Sequence, residues 1–226
     1  MARPQMSLMQ RQMCMQPVFL TAFTQRHIHE RGYNNFNDHP SIIFNEINFA
    51  LNHSKNTPNL VYVYKKFGEE VMTPEQIMYG FQYIANNRLE KSQDFWNVIV
   101  PMVKKQLKTL DHQTARSLHG AIEGAAAMYL QDNEFWDIVE EKLVDDQLHR
   151  YLSLEELSEV LVHLGRVDRG SDDMIEIIEK TFIKHRKGLT ERTIANAKVG
   201  FAAVNKGSEI LQRVLEDPNT ELPALE

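Results

Sequence analysis

The strongest pattern along this chain is a helical one that repeats. Four predicted helix starts share an arrangement in which an apolar residue precedes a Thr, Ser or Asp and another apolar residue follows within the first turn. The oxygen of such a side chain can accept a hydrogen bond from a free backbone N–H, while the two apolar side chains pack together. The predicted N-caps are Thr73, Asp111, Ser153 and Thr190. Their spacings of 38, 42 and 37 residues indicate a duplicated unit.

A second recurring string indicates that each unit continues with another helix. Residues 94–100 (DFWNVIV) recur as residues 134–139 (EFWDIV), with a degraded copy at 173–178 and a short one at 208–215. Their apolar positions have helical spacing. Two helices in 37–42 residues cannot bury their apolar faces alone, whereas stacked units can. The sequence therefore predicts an all-α fold, an α-solenoid of stacked antiparallel helix pairs with a repeat of about 37–42 residues.

The chain before residue 72 follows this pattern less closely. Residues 41–52 predict one helix and Thr57-Pro58 opens another, although the β-branched and aromatic residues 60–64 also suit a strand. The predicted organisation is an N-terminal arm over residues 1–37, an irregular first helix pair over 38–71, helical repeats over 72–217 and a C-terminal tail over 218–226.

Two kinds of residue bear on how the repeats pack. Gly120 and Gly124 lie four residues apart on one predicted helix, so they would let a neighbouring helix approach closely. Trp96 and Trp136 occupy the same position in successive units beside aliphatic residues. That position favours the core between repeats, with stacking on nucleobases as the alternative.

Residues 152–157 (LSLEEL) and the Phe-Trp second helices resemble the heptatricopeptide and octotricopeptide repeats of organellar proteins, including the FAST-kinase-like family. The resemblance covers about residues 72–215. It implies a mitochondrial or plastid location and, in many members, RNA binding, but no individual RNA-contacting residue. Many members also have a C-terminal nuclease-like domain, and we expect none here because the repeats end close to residue 226.

Charge gives the N-terminus and the repeats opposite characters. The chain has 25 basic and 31 acidic residues, a net charge of −6. Residues 1–29 contain three Arg and no acid, and Met and Gln are abundant there, which is typical of a mitochondrial transit peptide; a polar arm is the alternative. Residues 130–180 contain 15 acidic and five basic residues, whereas a nucleic-acid-binding surface is usually basic.

Short charged runs are the candidate contacts with a partner. They are Asp145, Asp146, Asp172, Asp173, Lys184, Arg186 and Lys187. Adjacent acids point in different directions on a helix, so they do not predict a catalytic pair. The basic run also suits the C-terminus of a helix, where cations are favoured by the helix dipole.

No motif predicts catalysis, a cofactor or a metal site. The sequence has no Gly-rich phosphate loop, no Gly-x-Ser-x-Gly elbow and no His-Glu-x-x-His motif. Cys14 is the only cysteine, so neither an intramolecular disulfide nor a Cys-based zinc site is possible. His27 and His29 give only a weak signal in the arm. His112 and His119 are seven residues apart on one predicted helix face but lack a third ligand.

These features predict a non-catalytic accessory or scaffold subunit of a large mitochondrial assembly, in the first place an inner-membrane respiratory-chain complex or ATP synthase. We expect it in the matrix or on the matrix face of the inner membrane, peripheral to the bilayer, without a transmembrane helix and with other protein subunits as partners. The alternative is an organellar RNA-binding repeat protein associated with the mitochondrial ribosome. A third hypothesis is a cytosolic adaptor whose N-terminal arm binds a partner.

Overall fold

The structure, a computed structural model, describes residues 40–54 and 56–221. The predicted N-terminal arm, with Cys14, His27 and His29, and the end of the predicted C-terminal tail lie outside this range. Within it the chain is all-α, with ten α-helices and no β-strand. The helices are α1 (Pro40–Asn52), α2 (Thr57–Val71), α3 (Pro74–Asn86), α4 (Val100–Thr109), α5 (Arg116–Ala127), α6 (Asn133–Val144), α7 (Leu154–Val167), α8 (Asp172–Lys184), α9 (Glu191–Ala203) and α10 (Glu209–Glu216).

The chain divides into two compact units between His53 and Ser54. Helix α1 belongs to the first unit, and α2 to α10 belong to the second. Residues 60–64, for which a strand was the alternative, are helical within α2. A π-helical turn, Phe95–Ile99, leads directly into α4.

Three of the four predicted N-caps are confirmed. Thr73 and Ser153 each accept a hydrogen bond from the backbone three residues on, and Gln76 and Glu156 each bond back to the cap N–H, which completes two capping boxes. Thr190 caps α9 in the same way, without the reciprocal bond. The helix starts that depend only on local side-chain chemistry were therefore predictable.

The fourth predicted cap, at Asp111, is wrong. Its carboxylate accepts hydrogen bonds from the backbone N–H and the hydroxyl of Thr114, at 3.1 and 2.9 Å, and so closes a turn before the helix. These bonds hold the pKa of Asp111 below its usual value. Helix α5 begins only at Arg116, and no side chain caps it. His112 therefore precedes the helix and does not share a helix face with His119, contrary to the prediction.

The helices of the second unit contact one another in two series. In the first-helix row, α3 contacts α5, α5 contacts α7 and α7 contacts α9. In the second-helix row, α4 contacts α6, α6 contacts α8 and α8 contacts α10. Glu155 pairs with Arg192, and Ser158 accepts a hydrogen bond from Asn196. Because these contacts advance in the same direction along both helices, α7 and α9 run parallel.

Small residues permit close contact within the first-helix row. A Cβ atom added at Gly124 of α5 would lie 2.8 Å from the ring of Phe81 in α3. One added at Gly200 of α9 would lie 2.7 Å from the side chain of Leu161 in α7. The close approach predicted at Gly124 is confirmed, whereas Gly120 meets only a Gln82 oxygen at 3.5 Å.

Each helix of the first-helix row ends in the same left-handed turn. The left-handed residue has φ between 51° and 54°. The next residue donates its N–H to the carbonyl five positions before it, at 3.0 or 3.1 Å, which is the Schellman arrangement. The left-handed residues are Arg88, Tyr129, Asp168 and Asn205. None is Gly, the residue that usually marks this turn, so the sequence pattern did not reveal it.

The two tryptophans differ in their surroundings. Trp136 is 5% exposed, and its indole N–H donates to the carbonyl of Leu130 at 2.8 Å, which confirms the predicted core position. Trp96 is 38% exposed, so the same prediction is wrong there. Trp96 belongs to the π-helical turn Phe95–Ile99, whose wider winding directs side chains differently from the α-helical turn around Trp136.

Replacing Gly124 with Ala tests the close approach of α3 and α5. The added methyl would overpack against Phe81, and we expect the free energy of unfolding to fall by about 1–3 kcal/mol. Gly120→Ala is the matched control on the same helix. Its methyl has room, so it should leave stability unchanged or raise it by up to about 1 kcal/mol through helix propensity. Urea denaturation followed by circular dichroism measures both; equal effects would contradict the close contact.

Candidate functional site

An open cleft of about 1190 Å³ lies at the C-terminal ends of α6 and α8. We call it the basic cleft because none of the described residues that line it is acidic. Its ionisable lining residues are His149, Arg150, Lys180, Lys184, His185, Arg186 and Lys187. In a chain with a net charge of −6, this cleft is a local concentration of positive charge.

Two short turns bring these bases together. Helix α6 is followed by the 3₁₀ turn Leu148–Tyr151, and α8 by the 3₁₀ turn Arg186–Gly188. His149 is buried, and its Nδ1 lies 2.7 Å from the carbonyl of Leu143, which fixes the first turn against the end of α6. Both helices end at the cleft, so the negative ends of their dipoles favour the bases there.

The three bases predicted as partner contacts all line this cleft. Lys184 and Lys187 are exposed, so their ammonium groups are accessible. Arg186 is half-buried; one terminal nitrogen donates to the carbonyl of Ile183 at 3.4 Å. Its Nε is buried and has no hydrogen-bond partner among the described residues. The two lysines are therefore the readily accessible charges of this run, while Arg186 is partly withdrawn from the surface.

The four predicted acidic contacts do not form one site. Asp145 and Asp146 follow α6, whereas Asp172 and Asp173 lie in the first turn of α8. Two of them already have partners. Asp146 pairs with the buried amine of Lys142 at 2.6 Å, and Asp172 pairs with Lys206 at 2.5 Å.

The second-helix row presents acids beside the cleft. Exposed carboxylates on α6 and α8 include Asp137, Glu141, Asp173 and Glu176. At the far side of α6, Lys104 bridges Asp132 and Glu134 at 2.9 and 2.6 Å. The hydrogen bond with Glu134 raises the pKa of Lys104. The acids of α6 that face α4 are therefore neutralised, while those that face solvent are not.

A line of polar side chains crosses the first-helix row. Gln82 and Asn86 of α3 donate to the carboxylate of Glu123 in α5. One turn earlier on α5, Nε2 of His119 lies 3.1 Å from a carboxylate oxygen of Glu159 in α7. Glu159 in turn accepts from the guanidinium of Arg192 in α9 at 2.7 Å.

Two histidines meet at the centre of this line. Ligand atoms of His119, Glu123 and His163 all lie within 4.8 Å of one another. Burial lowers the pKa of His163 to about 4, so its imidazole is neutral at neutral pH. Sequence reasoning paired His119 with His112 and missed His163, which is 44 residues further along the chain. Only the contact between α5 and α7 brings the two rings together.

Comparison with known proteins adds no family assignment. The sequence matches no protein-family model and no curated protein. Among the described residues, no helix is long and apolar enough to cross a bilayer.

The adjacent acids after α6 allow a matched test of one internal ion pair. Asp146→Asn would remove the negative charge opposite the amine of Lys142, which is 6% exposed and otherwise donates to the carbonyl of Leu110. Because Asp146 itself is partly solvated, we expect a loss of about 1–2 kcal/mol in the free energy of unfolding. Asp145→Asn should change it by less than about 0.5 kcal/mol. Thermal denaturation measures both, and equal losses would contradict the role of this pair.

Proposed function

We propose that this chain is a non-catalytic accessory or scaffold subunit of a large mitochondrial assembly, and that its basic cleft binds an acidic segment of a partner subunit. The observation behind this proposal is the basic cleft itself, set into a strongly acidic part of the chain. An inner-membrane respiratory-chain complex or ATP synthase is the assembly we propose first. The location would be the matrix or the matrix face of the inner membrane.

We further propose that α3 to α10 form an α-solenoid of stacked antiparallel helix pairs. The serial contacts within each row support this arrangement, as do the repeated caps and the repeated left-handed turns. Stacked pairs expose a long surface to a partner. The resemblance to heptatricopeptide and octotricopeptide repeats belongs to this proposal and has no independent support from the comparisons.

The charge of the cleft favours an anionic ligand. Lys184 and Lys187 are exposed, and the half-buried Arg186 also lines the cleft. Carboxylate side chains on a partner could accept hydrogen bonds from all three residues. The acids of the neighbouring helices would repel a partner that approached elsewhere, so charge would also fix the orientation of docking.

The same surface favours a protein segment over RNA. Proteins that bind single-stranded RNA use a basic groove that follows the backbone, with aromatic side chains for stacking. Here several bases gather at the cleft, and a polyanion leaving it along α6 would meet the exposed Glu141. A short acidic peptide would not extend that far. RNA binding is nevertheless the alternative hypothesis, because the cleft bases are equally able to contact phosphates.

The location and the assembly can be tested together. A C-terminally tagged full-length chain, expressed in cells, is expected in the mitochondrial fraction. On native size fractionation it should elute far above its own mass of 26.3 kDa. Mass spectrometry of the co-eluting proteins would name the partners. Recovery as a free monomer outside mitochondria would contradict the proposal.

A pair of double charge reversals tests the role of the cleft. Lys184→Glu with Lys187→Glu should release the chain from the assembly, because the cleft would then repel an acidic segment. Lys91→Glu with Lys198→Glu is the control, since both lysines are exposed outside the cleft and the net charge changes equally. If both variants stay in the assembly, the cleft is not the binding site.

The same fractions distinguish protein from RNA. Ribonuclease should leave the assembly intact if the partner is a protein. If ribonuclease disperses it, and if the cleft variant alone loses RNA on ultraviolet cross-linking, the RNA-binding alternative replaces the protein-scaffold proposal. In that case the affinity should also fall steeply with salt.

A further inference from the structure

The contact between α5 and α7 assembles three groups of the types that bind transition metals. His119 and Glu123 lie four residues apart on α5, so they project from the same face one turn apart. His163 projects from α7. One potential ligand atom from each lies within 4.8 Å of the other two. Tetrahedral zinc places its ligand atoms about 3.4 Å apart, given Zn–N and Zn–O distances of about 2.1 Å. Small side-chain rotations would therefore close the set around an ion.

One buried nitrogen of each imidazole at this contact has no hydrogen bond with the described residues. Nδ1 of His163 is buried and forms no hydrogen bond with the described residues. Nε2 of His119 is also buried; it lies 3.1 Å from Glu159, but the geometry does not form a hydrogen bond. Buried polar atoms in native proteins are nearly always satisfied by a protein group, a water or an ion. Two buried imidazole nitrogens without a hydrogen bond, on rings that belong to this cluster, are therefore an independent indication of a ligand.

Neighbouring side chains already orient the carboxylate of this set. Gln82 and Asn86 of α3 donate hydrogen bonds to the two oxygens of Glu123. Arg192 of α9 holds Glu159 next to His119. Metal-binding carboxylates and imidazoles are commonly oriented by such outer hydrogen bonds, which fix their geometry before the ion arrives.

We propose that His119, Glu123 and His163 bind a divalent transition-metal ion at the contact between α5 and α7. Two imidazoles and one carboxylate are a common ligand set for zinc, with a fourth position left for water or for Glu159. The ion would join two consecutive helices of the first-helix row. This site is distinct from the basic cleft, so its test is independent of the proposed function.

Zinc titration of the metal-stripped, full-length chain tests this proposal. The titration uses a chromophoric chelator as competitor at neutral pH. The wild-type chain should bind one equivalent of zinc more than the variants His163→Gln, His119→Gln or Glu123→Gln. Each variant should lose at least about tenfold in affinity at this site. His112→Gln and His185→Gln are the controls, because both histidines are exposed and lie outside the set. Zinc that binds to the histidines or the cysteine of the N-terminal arm stays constant across all these proteins.

A second measurement separates loss of the site from loss of the fold. Zinc should raise the melting temperature of the wild type and of the two controls, because the ion binds the folded state, and should raise it less in the three site variants. A variant is counted only if its circular dichroism spectrum without metal matches that of the wild type. Glu123→Gln is the most conservative of the three substitutions. An unchanged zinc stoichiometry and melting shift in a folded site variant would overturn the proposal.

Discussion

The close contact between consecutive helices of the first-helix row is the constraint on which the rest of this structure depends. Where α5 meets α3, and where α9 meets α7, glycines allow a side chain of one helix to lie almost against the backbone of the other. Close packing of this kind loses stability when even one methyl group is added. The close packing also fixes the positions of the polar side chains that flank these contacts. The polar line from Gln82 to Arg192, including His119 and His163, exists because the helix axes are held together below it.

The second-helix row is held together in part by ion pairs rather than by glycine contacts. This difference explains where the acidic and basic side chains of the row lie. Lys104 of α4 pairs with Glu134 of α6, and Asp172 of α8 pairs with Lys206 in the link between α9 and α10. Acids that face a neighbouring helix are paired, and acids that face solvent remain exposed. The bases collect instead at the C-terminal ends of α6 and α8, where unsatisfied carbonyl groups favour positive charge. The basic cleft therefore has a structural cause that is compatible with a role in binding.

Sequence patterns predicted the features that arise within one turn of helix and missed those that need two distant segments. Thr73 and Ser153 were predictable as caps because the partner residue lies three positions away. The same pattern failed at Asp111, because its side chain closes a turn that precedes the helix and does not cap it. The run Lys184–Lys187 was visible in the sequence, but its meeting with Arg150 required the fold. His163 joins its cluster only through packing of α5 on α7, which no local pattern encodes.

The left-handed turns at the ends of the first-helix row divide the chain into parts of fixed and variable length. The caps and turns of α3, α7 and α9 are each 15 residues apart: Thr73 to Arg88, Ser153 to Asp168 and Thr190 to Asn205. From the turn to the cap of the following helix, the last three units each span three residues: Tyr129 to Asp132, Asp168 to Ser171 and Asn205 to Ser208. The part that contains the second helix and the connection to the next first helix varies, with 21 residues from Asp132 to Ser153 and 19 from Ser171 to Thr190. Both spacings occur together in α7 with α8 and in α9 with α10, so the first helix and its link to the second have the same lengths in these two pairs.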